Sequence, residues 1–223
     1  MRQKYGSRLG LNYTWRAYLW GLLLGCCLLA VALPAVAEPF EFVDDAGAKI
    51  VLHKPPRQVV SLVPSMTEII FALGAEDRLL GVTAHSDQPV GVHTKQIVGG
   101  YFAPCLETIE SLDPDVVFAS SMHEQVRNRF ADSRVKVVTL RTESIKDSFR
   151  EIRLLGRIFH LNKAAAGIVE TNRNKLELIQ AKTAKIPENK QKRIIRLMGR
   201  EQVMTPGRDS FQNEYIRLAG GVP

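Results

Sequence analysis

The chain has 223 residues, which is enough for one or two domains. Hydrophobic residues make up 45% and charged residues 24%, as is ordinary for a globular protein. The formal charge of +7 comes from 30 Lys and Arg against 23 Asp and Glu, but four of the basic residues and none of the acidic ones lie in residues 1–37, so the remainder carries +3. Because no basic patch with interleaved aromatic residues is found, nothing in the composition indicates nucleic-acid binding.

Residues 1–37 are typical of an export signal. A basic start that ends at Arg16 is followed by an uncharged, mostly apolar run over residues 17–37. The run closes with Ala35-Val36-Ala37, small residues at the positions that a signal peptidase reads. We therefore expect cleavage after Ala37 and a periplasmic mature chain. The alternatives are an uncleaved membrane anchor, since the run approaches the roughly 20 residues that span a bilayer, and lipidation at Cys26.

The cysteines give no indication of a redox or metal site. Cys26 and Cys27 belong to the predicted leader, so Cys105 is the one cysteine expected in the mature chain and no internal disulfide is expected. Cys105 precedes Leu106 near a predicted helix start, where we interpret it as a small hydrophobe.

Residues 38–56 predict an opening hairpin. Aromatic residues lead into the turn sequence Asp44-Asp45-Ala46-Gly47, and an apolar run returns over residues 50–52. Two prolines then end the second strand at Pro55 and Pro56.

Residues 57–142 alternate between predicted strands and helices. This pattern predicts an α/β lobe with a mainly parallel sheet covered on both faces. The helix after the first strand begins with Ser65-Met66-Thr67-Glu68, a sequence that predicts a capping box. The predicted strands are residues 59–63, 79–82, 116–119 and 135–138, and two further helices are predicted over residues 104–112 and 123–131.

Residues 143–187 predict a stiff helical connection. Ser144 begins it, and a break at Leu161-Asn162 is expected to leave Asn162 as the cap of a longer second helix. The connection has no Gly-rich or Pro-rich linker, which is why we expect it to be rigid.

Residues 191–223 predict the start of a second α/β lobe. A strand is expected over residues 193–198, then a loop over residues 205–210 and a helix capped by Ser210. One strand and one helix cannot bury a core by themselves, so we expect this lobe to be incomplete.

Several stretches, in this order and at this spacing, carry a family resemblance from Phe42 to Val222. They are Arg57-Gln58-Val59-Val60-Ser61-Leu62-Val63-Pro64-Ser65, Gly81-Val82-Thr83, Val98-Gly99-Gly100, Leu112-Asp113-Pro114-Asp115, Thr205-Pro206-Gly207 and Leu218-Ala219-Gly220-Gly221. The chain resembles the helical-backbone (class III) periplasmic substrate-binding proteins of ABC importers, and most of all the cobalamin (vitamin B12)-binding type. The order of the stretches is more specific than any one of them.

The resemblance implies two α/β lobes joined by a long helix, with the ligand held between them. It implies a monomeric binding protein without a cofactor, not an enzyme, that captures cobalamin or a similar metal chelate and delivers it to the importer's membrane subunits. Binding of haem or of a ferric siderophore is the alternative within the class. Most members continue well past the position of Gly221, so a truncated, non-transporting product is the alternative from outside it.

Four candidate ligand contacts follow from the resemblance, in two loops that face the family's cleft. Tyr101 and Phe102 follow Gly99-Gly100, and an aromatic face with a polar tip suits a corrin ring. In haem-binding relatives a tyrosine in a similar setting ligates iron. His85 and Asp87 follow the second strand, where an imidazole is also a candidate metal ligand. The competing interpretation is that all four are surface-loop residues without a ligand.

Glu107 is the candidate contact with the transporter. In cobalamin-binding members a glutamate at this position meets arginines of the importer's membrane subunits. Its position in the first turn of a helix also suits a carboxylate without any partner, by about 0.3–1 kcal/mol. Ser65 and Glu68 resemble a binding motif too, but capping explains both.

No metal receptor or enzyme is indicated. His53, His93, His123 and His160 lack the spacing of a zinc site, which needs three or four converging ligands. No nucleophile elbow, phosphate-binding glycine loop or paired metal motif is found.

Overall fold

A hairpin precedes the main sheet. The computed structural model describes residues 38–199, 203–208 and 210–223, and the predicted export signal lies outside them. Strand β1 (Phe40–Val43) pairs antiparallel with β2 (Lys49–Leu52). The turn between them is closed by Asp44, whose Oδ1 accepts the N–H groups of Ala46 and Ala48 at 3.0 and 2.8 Å.

Five parallel strands form the main sheet, in the order β5-β4-β3-β6-β7. The strands are β3 (Val59–Ser61), β4 (Leu79–Val82), β5 (Gln96–Ile97), β6 (Val116–Ala119) and β7 (Lys136–Thr139). The predicted α/β fold with a mainly parallel sheet is therefore confirmed. Strand β5 was not predicted, because both of its residues are exposed and it lacks the apolar run that marks its neighbours.

Six α-helices in the described residues cover the sheet and extend beyond it. They are α1 (Pro64–Ala72), α2 (Leu106–Ser111), α3 (Glu124–Phe130), α4 (Ile145–Ile158), α5 (Asn162–Thr183) and α6 (Phe211–Leu218). Two apolar clusters fill the two faces of the sheet. Val59 and Phe118 lie in the cluster that includes α1 and α4, while Val60 and Val117 lie in the cluster beside α2 and α3. This alternation along fully buried strands is what a sheet covered on both faces requires.

Two predicted helix starts are wrong. Helix α1 begins at Pro64, with Val63 as its N-cap and no side-chain cap, so Ser65 and Glu68 form no capping box. Proline is favoured at the first helical position because it lacks the N–H that would go unpaired there. Helix α2 begins at Leu106 and not at Pro104, since Pro104 instead bridges to Gly99.

The break between α4 and α5 is tight. Ser144 caps α4 by accepting the Asp147 N–H at 3.1 Å, as the sequence predicts. His160 turns the chain with a φ of 58°, and Asn162 is the first residue of α5, not its cap. Any Cβ at Gly156 would lie 2.4 Å from the Ala165 Cβ, so glycine is what allows the two helices to pack this closely.

Residues 193–198 do not form the predicted strand. The described residues show only isolated bridges there, Arg193 to Val222 and Met198 to Met204. Helix α6 is capped by Ser210, which accepts the Gln212 N–H, as predicted. Without a neighbouring strand to complete a ladder, residues 193–198 are extended chain and not part of a sheet.

Candidate functional site

The candidate site lies at the carboxyl ends of the parallel strands. From β3 the chain builds β4 and β5 to one side and then β6 and β7 to the other. The strand order therefore reverses between β3 and β6. Ligands of open α/β sheets bind outside the carboxyl ends at such a switch point. The loops after β4, β5 and β6 all reach this edge.

The loop after β5, residues 98–104, is a closed turn held at its base. Gly99 and Pro104 form an antiparallel bridge, and the Cys105 N–H donates to the Val98 carbonyl at 2.8 Å. The Gly99 carbonyl also accepts the Ala84 N–H at 2.9 Å, which ties the turn to the loop after β4. Gly99 has a φ of 99°, a conformation that suits glycine.

This turn brings three of the four predicted ligand residues together. The rings of Tyr101 and Phe102 meet edge to face, with centroids 5.0 Å apart, and the His85 ring lies edge-on to Tyr101 at 6.5 Å. Tyr101 is half-buried, whereas Phe102 is 68% exposed. The result is an aromatic surface with one fixed ring and one ring open to solvent.

His85 is committed to the loop by one of its ring nitrogens. Its Nδ1 accepts the backbone N–H of Tyr101 at 3.1 Å. In the neutral ring the proton is then on Nε2, which makes that atom a donor without a free lone pair. The sequence indicates His85 as a candidate metal ligand, but with Nδ1 accepting a hydrogen bond and Nε2 protonated, neither ring nitrogen is available to a metal in this geometry. It suits a hydrogen bond to a ligand instead.

Asp87 lies outside this cluster. It is exposed on the loop after β4, and within the described residues it forms no hydrogen bond or ion pair with His85, Tyr101 or Phe102. The structure therefore gives no contact that joins it to the aromatic surface.

Two residues of the cluster, His123 and Ser120, were missed by the sequence analysis. The Tyr101 hydroxyl donates to Ser120 Oγ at 3.2 Å, and the His123 ring stacks edge-on to Tyr101 at 5.1 Å. Both lie in the segment between β6 and α3. That segment follows the carboxyl end of a predicted parallel strand, and this position is the feature of the sequence that indicates a site there.

Buried hydroxyl groups support the edge from below. Thr67 of α1 donates to Ser61 at the end of β3 at 2.9 Å, and its oxygen lies 3.4 Å from that of Ser86 in the loop after β4. All three residues are buried. Thr67 thus joins α1 to the end of β3 and to the loop after β4, which fixes the base of the loop that carries His85.

Glu107 is exposed in the first turn of α2. Its carboxylate accepts from the Cys105 thiol, with Sγ and Oε2 3.4 Å apart. One turn later Glu110 is held by Arg129 through two hydrogen bonds of 2.7 Å, and the pKa of Glu110 is lowered by that contact. Cys105 is exposed at the N-cap of α2, so its interpretation as a small hydrophobe is wrong.

A separate groove of about 570 Å³ runs between α1, α4 and α5. Ser65 and Glu68 line it together with Ile69, Phe149 and Ile168, among others. It is mostly apolar, and Tyr215 of α6 also lines it. The side chains of Ser65 and Glu68 therefore face this groove instead of capping the helix.

Neither a metal cluster nor a spanning helix is present in the part of the chain that the structure describes. No group of three or more His, Cys, Asp or Glu residues there could hold a metal ion. Across the same residues, no helix combines the length and the apolar character needed to cross a bilayer.

The chain has an α/β fold with a parallel sheet, and comparison with known proteins gives the family. The chain belongs to the periplasmic binding protein family, whose sequence profile matches residues 59–223. This family membership confirms the resemblance inferred from the sequence motifs.

Two relatives represent the sequence matches. An ABC transporter substrate-binding lipoprotein of Bacillus subtilis, YvrC, is 29% identical over 225 residues, which cover 91% of this chain and 70% of the relative. The vitamin B12-binding protein of Vibrio vulnificus is 26% identical over 169 residues, covering 75% of this chain and 61% of the relative. The chain thus spans between six and seven tenths of the length of these relatives.

Solved structures share the fold. The crystal structure of the periplasmic vitamin B12 binding protein BtuF of Vibrio cholerae has a TM-score of 0.65 at 22% identity, over 75% of this chain and 65% of that one. A periplasmic heme binding protein from Pseudomonas aeruginosa has a TM-score of 0.66 at 20% identity, over 75% and 62%. The fold therefore occurs with more than one kind of ligand.

Proposed function

We propose that this chain is the exported substrate-binding component of an ABC importer and that it captures cobalamin. The exposed Phe102 ring set against the fixed Tyr101 ring, at the switch point of the sheet, is the observation that carries the ligand proposal. Vitamin B12-binding relatives and the export signal expected over residues 1–37 support it.

The geometry suits a flat, partly apolar ligand. The edge-to-face pair presents apolar ring area, and Nε2 of His85 adds a hydrogen-bond donor beside it. Small-molecule sites combine a mainly apolar lining with a few placed polar groups. A corrin ring with amide side chains matches both features. No chemical step is assigned to these residues, since the protein supplies affinity and the importer's ATPase supplies work.

Calorimetric titration of the chain with cyanocobalamin tests the ligand. Phe102→Ala is expected to weaken binding about tenfold, because a centrally placed aromatic contact contributes on the order of 1.4 kcal/mol. Tyr215→Ala is the matched control, since it removes an exposed ring that lines the groove beside α5. Binding that depends on Tyr215 and not on Phe102 would place the ligand in that groove.

Haem is the alternative ligand, favoured by the Tyr101 phenol beside the two histidine rings. Titration with haemin, followed by visible absorption, distinguishes it. An iron–tyrosinate band that disappears in Tyr101→Phe, without cyanocobalamin binding by the wild type, would assign the site to haem.

Glu107 is proposed as the contact with the importer's membrane subunits. It is exposed, and within the described residues no Lys or Arg lies within ion-pair distance of it, whereas Glu110 is neutralised by Arg129. An exposed carboxylate of this kind is free to meet a basic residue of a partner.

A further inference from the structure

His123 occupies an unusual place for a histidine. It precedes α3, after the carboxyl end of β6, and only 2% of it is exposed. A buried imidazole is stable there only if both ring nitrogens find partners. Both do, and the partners are backbone groups of different segments.

Those partners fix the tautomer of the ring. The backbone N–H of Ser120 donates to Nδ1 at 3.0 Å, and an amide can only donate. Nε2 lies 2.6 Å from the carbonyl oxygen of Tyr101, which can only accept. His123 is therefore neutral, with its proton on Nε2, and it links the end of β6 to the loop after β5.

The backbone of Tyr101 is consequently held from both sides. His123 donates to its carbonyl, and Nδ1 of His85 accepts its N–H at 3.1 Å. The Tyr101 hydroxyl is held as well, by Ser120 at 3.2 Å. Two histidines from loops on either side of β3 thus set the position of one tyrosine.

We infer that His123 is a positioning residue for the ligand surface, because its neutral ring holds the Tyr101 carbonyl and so orients the Tyr101–Phe102 pair. The role of His123 in ligand binding rests on the proposed function, whereas its effect on the loop rests on the geometry alone. Without the bond to His123, the turn over residues 98–104 would keep its base but lose the backbone contact that fixes its tip to the segment after β6.

The charges around the ring favour the neutral form. Burial lowers the pKa of His123, the hydrogen bond to Tyr101 opposes this, and the Arg127 guanidinium lowers it further. Arg127 of α3 is itself fixed, since it donates to the carbonyls of Ser120 and Ser121 at 3.2 and 3.3 Å. The Tyr101 phenol also faces this ring, and the His85 ring lies beyond it.

Nuclear magnetic resonance of the ¹⁵N-labelled chain without any ligand tests the geometry first. At neutral pH the His123 ring should show an unprotonated Nδ1 and a protonated Nε2. A ring protonated on Nδ1 would overturn the inference. In His123→Leu the Tyr101 amide should exchange with solvent at least tenfold faster, whereas His53→Leu, a change at an exposed histidine, should leave it unchanged.

Titration with cyanocobalamin then tests the consequence for binding. His123→Leu should weaken affinity about tenfold, while His123→Gln should stay within about threefold of the wild type, because its amide can donate to Tyr101 and accept from Ser120. A folded His123→Leu variant with wild-type Tyr101 exchange and wild-type affinity would contradict the positioning role. If the wild type binds no cyanocobalamin, the proposed ligand fails, and the resonance and exchange results still decide the role of His123. If His123→Leu does not fold, the wild-type tautomer and the His123→Gln variant decide it.

Discussion

The guanidinium of Arg150 on α4 binds both carboxylate oxygens of Asp45 in the hairpin turn, at 2.5 and 2.7 Å. The Arg141 N–H, just after β7, donates to the same carboxylate at 2.7 Å. Asp45 therefore joins the hairpin to two segments that lie 96 and 105 residues further along the chain. Its hydrogen bond to Arg150 lowers its pKa, against the opposing effect of burial.

Arg150→Met should lower the free energy of unfolding by about 1–2 kcal/mol at pH 7, a moderate value because the Arg150 side chain is 46% exposed. A lowered folded-state pKa means that the stabilisation is present above the unfolded value of about 3.9 and is lost as pH falls through the folded value. Urea unfolding at pH 7 and pH 3 measures both. Lys49→Met, which breaks an exposed pair with Glu41, is the control and should cost under about 0.5 kcal/mol. Equal losses in the two variants would contradict the prediction.

Glu151→Gln should stabilise the protein at pH 8 and not at pH 4. Glu151 is buried, and burial raises its pKa despite the Thr142 hydroxyl, which lies 2.8 and 2.9 Å from its two oxygens. The folded state thus binds the proton more tightly than the unfolded one, so stability falls as pH rises from about 4.3 through the folded value. We expect Tm to rise by about 2–4 °C at pH 8. Calorimetry at both pH values measures this, and an equal change at pH 4 would show that ionisation is not the cause.

Gly99→Ala should disrupt the ligand loop, whereas Gly100→Ala should be tolerated. A Cβ on Gly99 would lie 2.7 Å from the Ala103 oxygen and 2.7 Å from the Cys105 nitrogen, at a φ of 99°. On Gly100 its closest contact is His85 at an ordinary 3.6 Å. We expect a cost of about 1–3 kcal/mol for the first variant and a loss of cyanocobalamin affinity. Thermal melting and titration of both variants provide the comparison, and equal behaviour would mean that the turn is not rigid.

Glu107→Arg should abolish capture of the chain by its ABC importer in lipid nanodiscs. Reversing the charge replaces an attraction with a repulsion at the proposed contact. The matched control is Glu124→Arg, which changes another exposed glutamate in the first turn of a short helix, α3. Surface plasmon resonance of the three proteins decides the point. If Glu107→Arg and the wild type dock equally well, Glu107 is not part of the interface.

Residues 193–198 should exchange their amide hydrogens far faster than β3 and β6. They have only isolated bridges, and Ile195 and Leu197 are 71% and 62% exposed. Few buried contacts mean a low cost of local opening. Hydrogen-exchange mass spectrometry measures the difference. Protection of residues 193–198 equal to that of the sheet would indicate a covering surface, such as a second copy of the chain.

The sheet could largely be predicted because its central strands are continuous apolar runs. Strand β5 could not, since its two residues are exposed and only the pairing with β4 defines it. The expected capping box between Ser65 and Glu68 failed because Pro64 already begins the helix and both side chains line the groove between α1, α4 and α5. Local pattern is a weak guide where a side chain has a partner elsewhere in the fold.

The candidate site shows the same limit. Tyr101, Phe102 and His85 lie in loops that the resemblance marked, and they do contact one another. No ligand spacing in the sequence links His123 to another histidine. Its role depends on the turn after β5 reaching across the sheet to β6, a relationship that only the fold creates.

The hairpin has a further consequence for β7, the last strand at one side of the sheet. Thr139 of β7 donates its N–H to Asp44 at 2.9 Å and accepts the Asp45 N–H at 3.0 Å, so the hairpin turn occupies the outer backbone groups of this last residue of the strand. Without such bonds, the unpaired backbone groups of an edge strand are a template on which other chains can add strands and aggregate. The Asp44-Asp45 turn therefore protects this end of β7 from pairing with another chain. If the turn were displaced, the Thr139 backbone groups would be open to strand addition by a second molecule.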